Sequence, residues 1–199
     1  MTAFTYPPLP LVRRHGPQGY ADYPSYRPWL RDEFVFRCVY CLRREQWGRV
    51  TAEFAVDHFL PISRHPDRAT EYANLLYSCS TCNCRKGDSE TPDPSLVLTR
   101  ETVDVDETGL LVAHTAEARR AVLALDLNGP EAREFRELWL DIIQLAQQAD
   151  PELFRRLMAY PDDLPDLASL RPPAGNTRPE GVAESHLERR NRGELPETY

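Results

Sequence analysis

The sequence is nearly without lysine: Lys86 is the only one, and every other basic residue is arginine. It also lacks a long basic track, which excludes the continuous electrostatic footprint of a free-standing nucleic-acid binder. No apolar run approaches the roughly 18 residues of a membrane span, so no membrane is expected as a partner. Met1 to Pro10 has no basic segment followed by an apolar one, and Pro7, Pro8 and Pro10 would break such a run. A cytoplasmic, reducing setting is therefore expected. There is no internal repeat.

What is present is unevenly distributed. The 199 residues carry a net charge of −7 and a hydrophobic content of 41%, enough for a real core. Residues 1–90 hold 12 Lys and Arg against 10 Asp and Glu, whereas residues 91–199 hold 12 against 21. A polyanion can be guided by the first half while the second half repels it.

Four of the five cysteines form two Cys-x-x-Cys pairs, Cys38/Cys41 and Cys79/Cys82. Each pair can wrap two thiolates around one face of a tetrahedral ion, so together they predict a structural Zn²⁺ site. Disulfides are the competing reading, disfavoured in a reducing compartment. The 37 residues from Leu42 to Ser78 exceed the roughly 15 to 20 of a compact zinc ribbon. The metal would then pin the base of an inserted loop. Cys84 has no partner in the pattern and reads as a small buried residue at a helix start, with a redox role as the alternative.

Residues 1–36 read as a Pro- and Tyr-rich arm and a short helix over Arg27 to Phe36. Val50, Ala52, Phe54 and Val56 alternate, predicting a strand over Arg49 to Val56, with Asp57 and His58 at its end. A polar loop follows, then a short strand at Asn74 to Tyr77 leading into Cys79, and a helix from Thr81 that stops near Gly87. Residues 96–160 carry a hairpin signal around Glu107-Thr108-Gly109, a helix capped by Thr115 and a second helix from Pro130. Phe135, Leu138, Ile142, Leu145 and Ala149 share a face of that second helix; core is the expectation, a partner-facing surface the alternative. Asp150-Pro151 starts a third helix. Residues 161–199 turn Pro-rich and charged, and disorder is expected from Arg171 onward. His15 and His114 have no chemical neighbours in sequence, and His186, near Arg189-Arg190 in the tail, is expected to be solvated.

The strand end carries the chemistry. Phosphodiester hydrolysis needs a nucleophilic water, a base near neutral pKa and a cation to neutralise charge on the phosphate. Histidine is the side chain best suited to take the proton. Asp and Asn supply hard oxygens suited to Mg²⁺ or another divalent ion. Asp57, His58 and Asn83 are of these kinds, although neighbours in a strand face opposite ways unless it ends or bends there.

The motifs Cys38-Val39-Tyr40-Cys41, Val56-Asp57-His58-Phe59-Leu60-Pro61, Asn74-Leu75 and Cys79-Ser80-Thr81-Cys82-Asn83-Cys84-Arg85-Lys86-Gly87 resemble the HNH endonuclease family in order and spacing. The resemblance implies an α+β fold: a ββα-metal finger with structural zinc over residues 37–95, followed by the hairpin and a helical C-terminal region. It implies that His58 activates water, that Asp57 and Asn83 hold the catalytic divalent ion, and that Asn74 braces the loop. Arg85 and Lys86 would touch substrate phosphate, a solvated helix face being the alternative. DNA is the implied substrate. The acidic second half suggests that a protein partner supplies nucleic-acid affinity or targeting, as in a bacterial defence operon or a mobile element. The competing function is a zinc-stabilised binding or adaptor module without catalysis; the full set Asp57, His58, Asn74 and Asn83 favours the enzyme.

Overall fold

In a computed structural model, residues 3–48, 54–175 and 177–199 are described. The chain begins as an extended arm whose Phe4, Tyr6 and His15 side chains are buried. A 3-10 turn at Pro24–Tyr26 leads into α1 (Arg27–Glu33), which carries Pro28 in its first turn, where a missing N–H costs nothing. The helix stops short of Phe36 because Val35 and Phe36 adopt φ values of 53° and 55°. Bulky residues avoid that left-handed region. Here it is held by Phe36 N–H donating to Arg31 O at 2.9 Å and Glu45 N–H to Phe36 O at 3.0 Å.

The central unit is an antiparallel pair, β1 (Phe54–His58) and β2 (Leu75–Cys79), followed directly by α2 (Ser80–Lys86). Phe54 faces Cys79 and His58 faces Leu75. Diagonal to one another across this register, the Phe54 and Tyr77 rings stack at 5.1 Å, the kind of cross-strand contact that sets pairing. The start of the expected strand, residues 49–53, lies outside the described residues. Gly87 ends α2 with φ 49°, a cap that glycine accepts without steric cost. Then come α3 (Pro94–Val97), the hairpin β3 (Val103–Val105) and β4 (Leu111–Ala113), α4 (Ala116–Ala124), α5 (Pro130–Ala149), α6 (Pro151–Met158), α7 (Pro179–Ala183) and α8 (His186–Asn191). Thr115 caps α4 by accepting from Ala118 N–H. The architecture is α+β, with a ββα unit and small sheets, as the sequence predicts.

Two expectations need correction. The stripe on α5 is not the buried face: Leu138 and Leu145 are 56% and 66% exposed. The helix instead buries Arg136, Ile143 and Ala146, and Trp139 stacks on Trp47 at 4.4 Å. Periodicity identifies which residues share a face, but not which of two adjacent apolar faces the core takes. Arg136 wins a core position because it donates to Gly109 O at 2.5 Å and Leu127 O at 2.6 Å, stitching α5 to the hairpin turn.

The second correction concerns the tail, expected to be disordered. It packs back on the molecule through α7, α8 and a bridge between Ala159 and Thr198. Leu164 and Tyr199 bury against Phe36, and the Tyr199 ring lies under the guanidiniums of Arg37 and Arg44 at 4.6 and 4.1 Å. Average composition is polar, but a few anchors suffice when each fills a preformed pocket.

One such anchor is His186. His15 Nε2 lies 2.8 Å from Asp32 Oδ1, His186 Nδ1 lies 3.0 Å from Oδ2, and the backbone N–H of His186 donates to Oδ2 at 2.9 Å. All three residues are buried, so arm and tail both clamp onto α1. Burial pushes the Asp32 carboxyl up, but the contacts from His15 and His186 outweigh it and hold it well below the usual carboxylate range. Asp32→Asn is expected to cost about 3 kcal/mol at neutral pH, as when a buried pair loses one charge. Because folding lowers this pKa, the stabilisation is complete above the unfolded value of about 3.9 and is lost as pH falls toward the folded one. Acid-unfolding curves check this: the wild type should lose more stability below about pH 4 than Asp32→Asn.

Candidate active site and metal centre

The first Cys-x-x-Cys sits on a tight turn between paired Arg37 and Arg44. Cys38 N–H donates to Arg43 O at 2.9 Å and Leu42 N–H to Cys38 O at 3.0 Å, with Leu42 at φ 62°. Val39 N–H donates to Tyr77 O at 3.0 Å, docking the turn on β2. The second pair lies where β2 becomes α2. The four sulfurs lie within 4.8 Å of one another, and Cys41 and Cys79 sulfurs are 3.7 Å apart. Zn–S bonds of about 2.3 Å in a tetrahedron put sulfurs about 3.8 Å apart, so the donor set fits zinc. No disulfide is formed by any of the five cysteines. Burial, followed by the neighbouring sulfurs, pushes the Cys38 thiol up; a cation at the centre offsets that cost of ionising. Cys84, expected to be buried, is exposed, since α2 turns its Cys82 side to the cluster.

At the end of β1, Asp57 and His58 point to different surroundings, as strand alternation dictates. Asp57 is 5% exposed. Its Oδ2 accepts from Tyr40 OH at 2.6 Å and its Oδ1 lies 3.4 Å from Lys86 Nζ. Burial pushes the Asp57 carboxyl up, and Lys86 and Tyr40 pull against that. His58 Nε2 lies 2.9 Å from Ala69 O. A carbonyl only accepts, so this geometry assigns the proton to Nε2 and leaves the lone pair of the neutral ring on Nδ1. The ring packs edge-on against Tyr23 at 4.8 Å. Burial pushes its pKa below the ordinary value, with the Ala69 bond acting the other way.

Asn74 is buried at the start of β2. It accepts from Leu60 N–H at 2.8 Å, donates to Leu60 O at 3.1 Å and to Arg68 O at 3.2 Å, and its own carbonyl accepts from Phe59 N–H at 2.8 Å. Both ends of the loop from Phe59 to Ala69 are thus tied to one side chain, and that loop presents the carbonyl that orients His58. Asn83 is half-buried on α2, and its amide has no side-chain partner among the described residues. Asp57 Oδ1 is paired with Lys86 at 3.4 Å, and the Asn83 amide offers a hard oxygen of the type that suits a divalent ion.

Residues 38–89 match the HNH endonuclease family model. This stretch is an HNH domain. The chain is also 34% identical, over 68 residues, to the Septu protein PtuB of Bacillus thuringiensis. That alignment covers 34% of this chain and 25% of the relative, so the match spans a quarter of the relative's length.

Within the HNH domain, the two basic residues expected at the substrate are otherwise engaged. Lys86 is 1% exposed and donates to His58 O at 2.5 Å besides facing Asp57. A helix of seven residues has one buried side, and Lys86 shares it with Cys82. Arg85 reaches Glu131 Oε2 at 3.2 Å and Asp126 O at 3.1 Å, which ties α2 to the start of α5. Sequence reasoning missed Tyr40. Its only signal is its place inside the first Cys-x-x-Cys, which lets the metal turn hold the Asp57 carboxylate.

Two outcomes follow from this wiring. Removing the metal with a strong chelator should lower the thermal transition sharply, because four thiols gathered without a cation no longer hold the two turns together; calorimetry checks it, and an unchanged transition refutes the structural role. Tyr40→Phe keeps the ring and removes the hydroxyl, leaving Asp57 Oδ2 short of a donor. It is expected to cost about 1.5–3 kcal/mol in chemical denaturation, the range for a hydrogen bond to a charged group.

Proposed function

We propose that the protein is a metal-dependent endonuclease that hydrolyses DNA phosphodiester bonds. The observation that carries this reading is the Nε2–H contact of His58 with Ala69 O, which leaves Nδ1 as the base. In the proposed reaction Nδ1 takes a proton from water as its oxygen attacks phosphorus. The bond to the 3′-oxygen breaks, leaving 5′-phosphate and 3′-hydroxyl ends. Mg²⁺ or another divalent ion, held by Asp57 and Asn83, would supply charge neutralisation at the phosphate and leaving oxygen. Asn74 keeps the loop carbonyl in register with His58. Tyr40 and Lys86 hold the Asp57 side of β1. The four-sulfur site has no open position for water or phosphate and stays structural.

The acidic second half of the chain supports a division of labour, in which a protein partner supplies DNA affinity or targeting. A bacterial defence locus or mobile element, in the cytoplasm, is the proposed setting. One observation favours the alternative of a zinc-stabilised binding module: both Asp57 oxygens face internal partners, Tyr40 and Lys86. Cleavage of plasmid and linear DNA with Mg²⁺ or Mn²⁺, against chelator, separates the two. His58→Ala is expected to lower the cleavage rate by roughly 100-fold or more, as for loss of a general base, measured well below the variant's thermal transition, because the substitution also removes the contacts with Ala69 and Tyr23. Equal nicking by wild type and variant overturns the assignment.

A further inference from the structure

The face of α5 that the core leaves out has its own order. Leu138 and Leu145 are seven residues apart and more than half exposed, and Ile142 between them is half-buried. Seven residues are two helical turns, so these side chains form one ridge. Glu134, Glu137 and Asp141 are all exposed and project beside it. None of the three pairs with a basic side chain among the described residues. This contrasts with Glu131, one turn earlier, which takes Arg85. The two arginines of α5 point elsewhere: Arg136 is buried, and Arg133 reaches the hydroxyl of Thr108. A helix with a second apolar stripe bordered by one sign of charge has the pattern of a helix-in-groove or paired-helix contact.

We infer that this face of α5 docks an amphipathic helix of a different protein, with an apolar ridge flanked by Lys or Arg. Charge decides the occupant. In a side-by-side pair with a second copy, the ridge would bring Glu134, Glu137 and Asp141 near their own counterparts, and like charges at such a seam are destabilising. A basic helix instead meets the leucines with its apolar side and the three carboxylates with its flanks. The surface belongs to the partner invoked under the proposed function and rests on that reading only for the partner's existence. Its test uses no cleavage, so the two can fail separately.

The probe is a synthetic helix of about 20 residues with leucines at one heptad seam and lysines beside it. The control peptide has the same composition with the leucines dispersed. Binding to the full-length protein is read by fluorescence anisotropy at physiological salt. The seam peptide should bind, the dispersed peptide should bind at least about tenfold more weakly, and Leu138→Ser/Leu145→Ser should weaken the seam peptide by at least about tenfold. Glu134→Lys/Asp141→Lys should weaken it as well. Thermal unfolding should be unchanged in both variants, because these side chains lie outside the core. Absence of binding, equal binding of the two peptides, or binding indifferent to the leucine pair overturns the inference. A dimer in sedimentation that the leucine substitutions dissociate also overturns it, in favour of a second copy.

Discussion

Four sulfurs gather two turns that stand 37 residues apart in sequence, and the candidate site hangs from that closure. The first turn docks on β2 through Val39, the second is the joint between β2 and α2, and what lies between must return to the same place. Closing a loop of that length by chain entropy alone is unfavourable, and a metal holding both ends offsets the cost. A zinc ion at this cluster would therefore act through geometry rather than chemistry.

The closure reaches the strand end through buried polar contacts rather than through packing alone. Tyr40, inside the metal turn, donates to Asp57, and Lys86, at the far end of α2, donates to the carbonyl of His58. On the opposite side Asn74 gathers the two ends of the loop that orients the His58 ring. Each of these groups would be costly to bury alone, and together they satisfy one another. The imidazole is thus aligned by backbone carbonyls whose own positions depend on the metal turn, the sheet register and α2 at once.

Regions peripheral in sequence supply much of what encloses this unit. Phe4 and Tyr6 from the arm and Tyr199 from the tail are core residues, and Asp32 draws His15 and His186 to α1 from opposite ends of the chain. α5 serves two surfaces, holding the hairpin through Arg136 and presenting leucines outward. Of the 21 Asp and Glu in residues 91–199, four, Glu131, Glu134, Glu137 and Asp141, lie on α5, and the others are spread over the hairpin, the remaining helices and the tail.

The ββα unit was legible in sequence because its determinants are local. Two Cys-x-x-Cys turns, an alternating strand ending in Asp57-His58, and Gly87 at a helix end each carry their meaning within a few residues. Asn74 was legible for the same reason, being a loop-bracing residue at a strand start. Tertiary structure decided the rest, where meaning depends on what arrives from afar. Lys86 looked like a phosphate contact, but its inward position follows from the side of α2 that holds Cys82. The apolar stripe of α5 was read correctly as one face, yet Trp47 and the hairpin recruited the adjacent face instead. The tail's composition argued for disorder, but Phe36, held at positive φ, Arg37 and Arg44 offered its Tyr199 a place that no composition encodes. Sequence by itself determined the gathering of the four cysteines and the placing of Asp57 and His58 at the strand end, because short-range spacing sets them. Only the folded chain decided which polar groups face inward and which surface is left for a partner, because burial is a property of the whole packing.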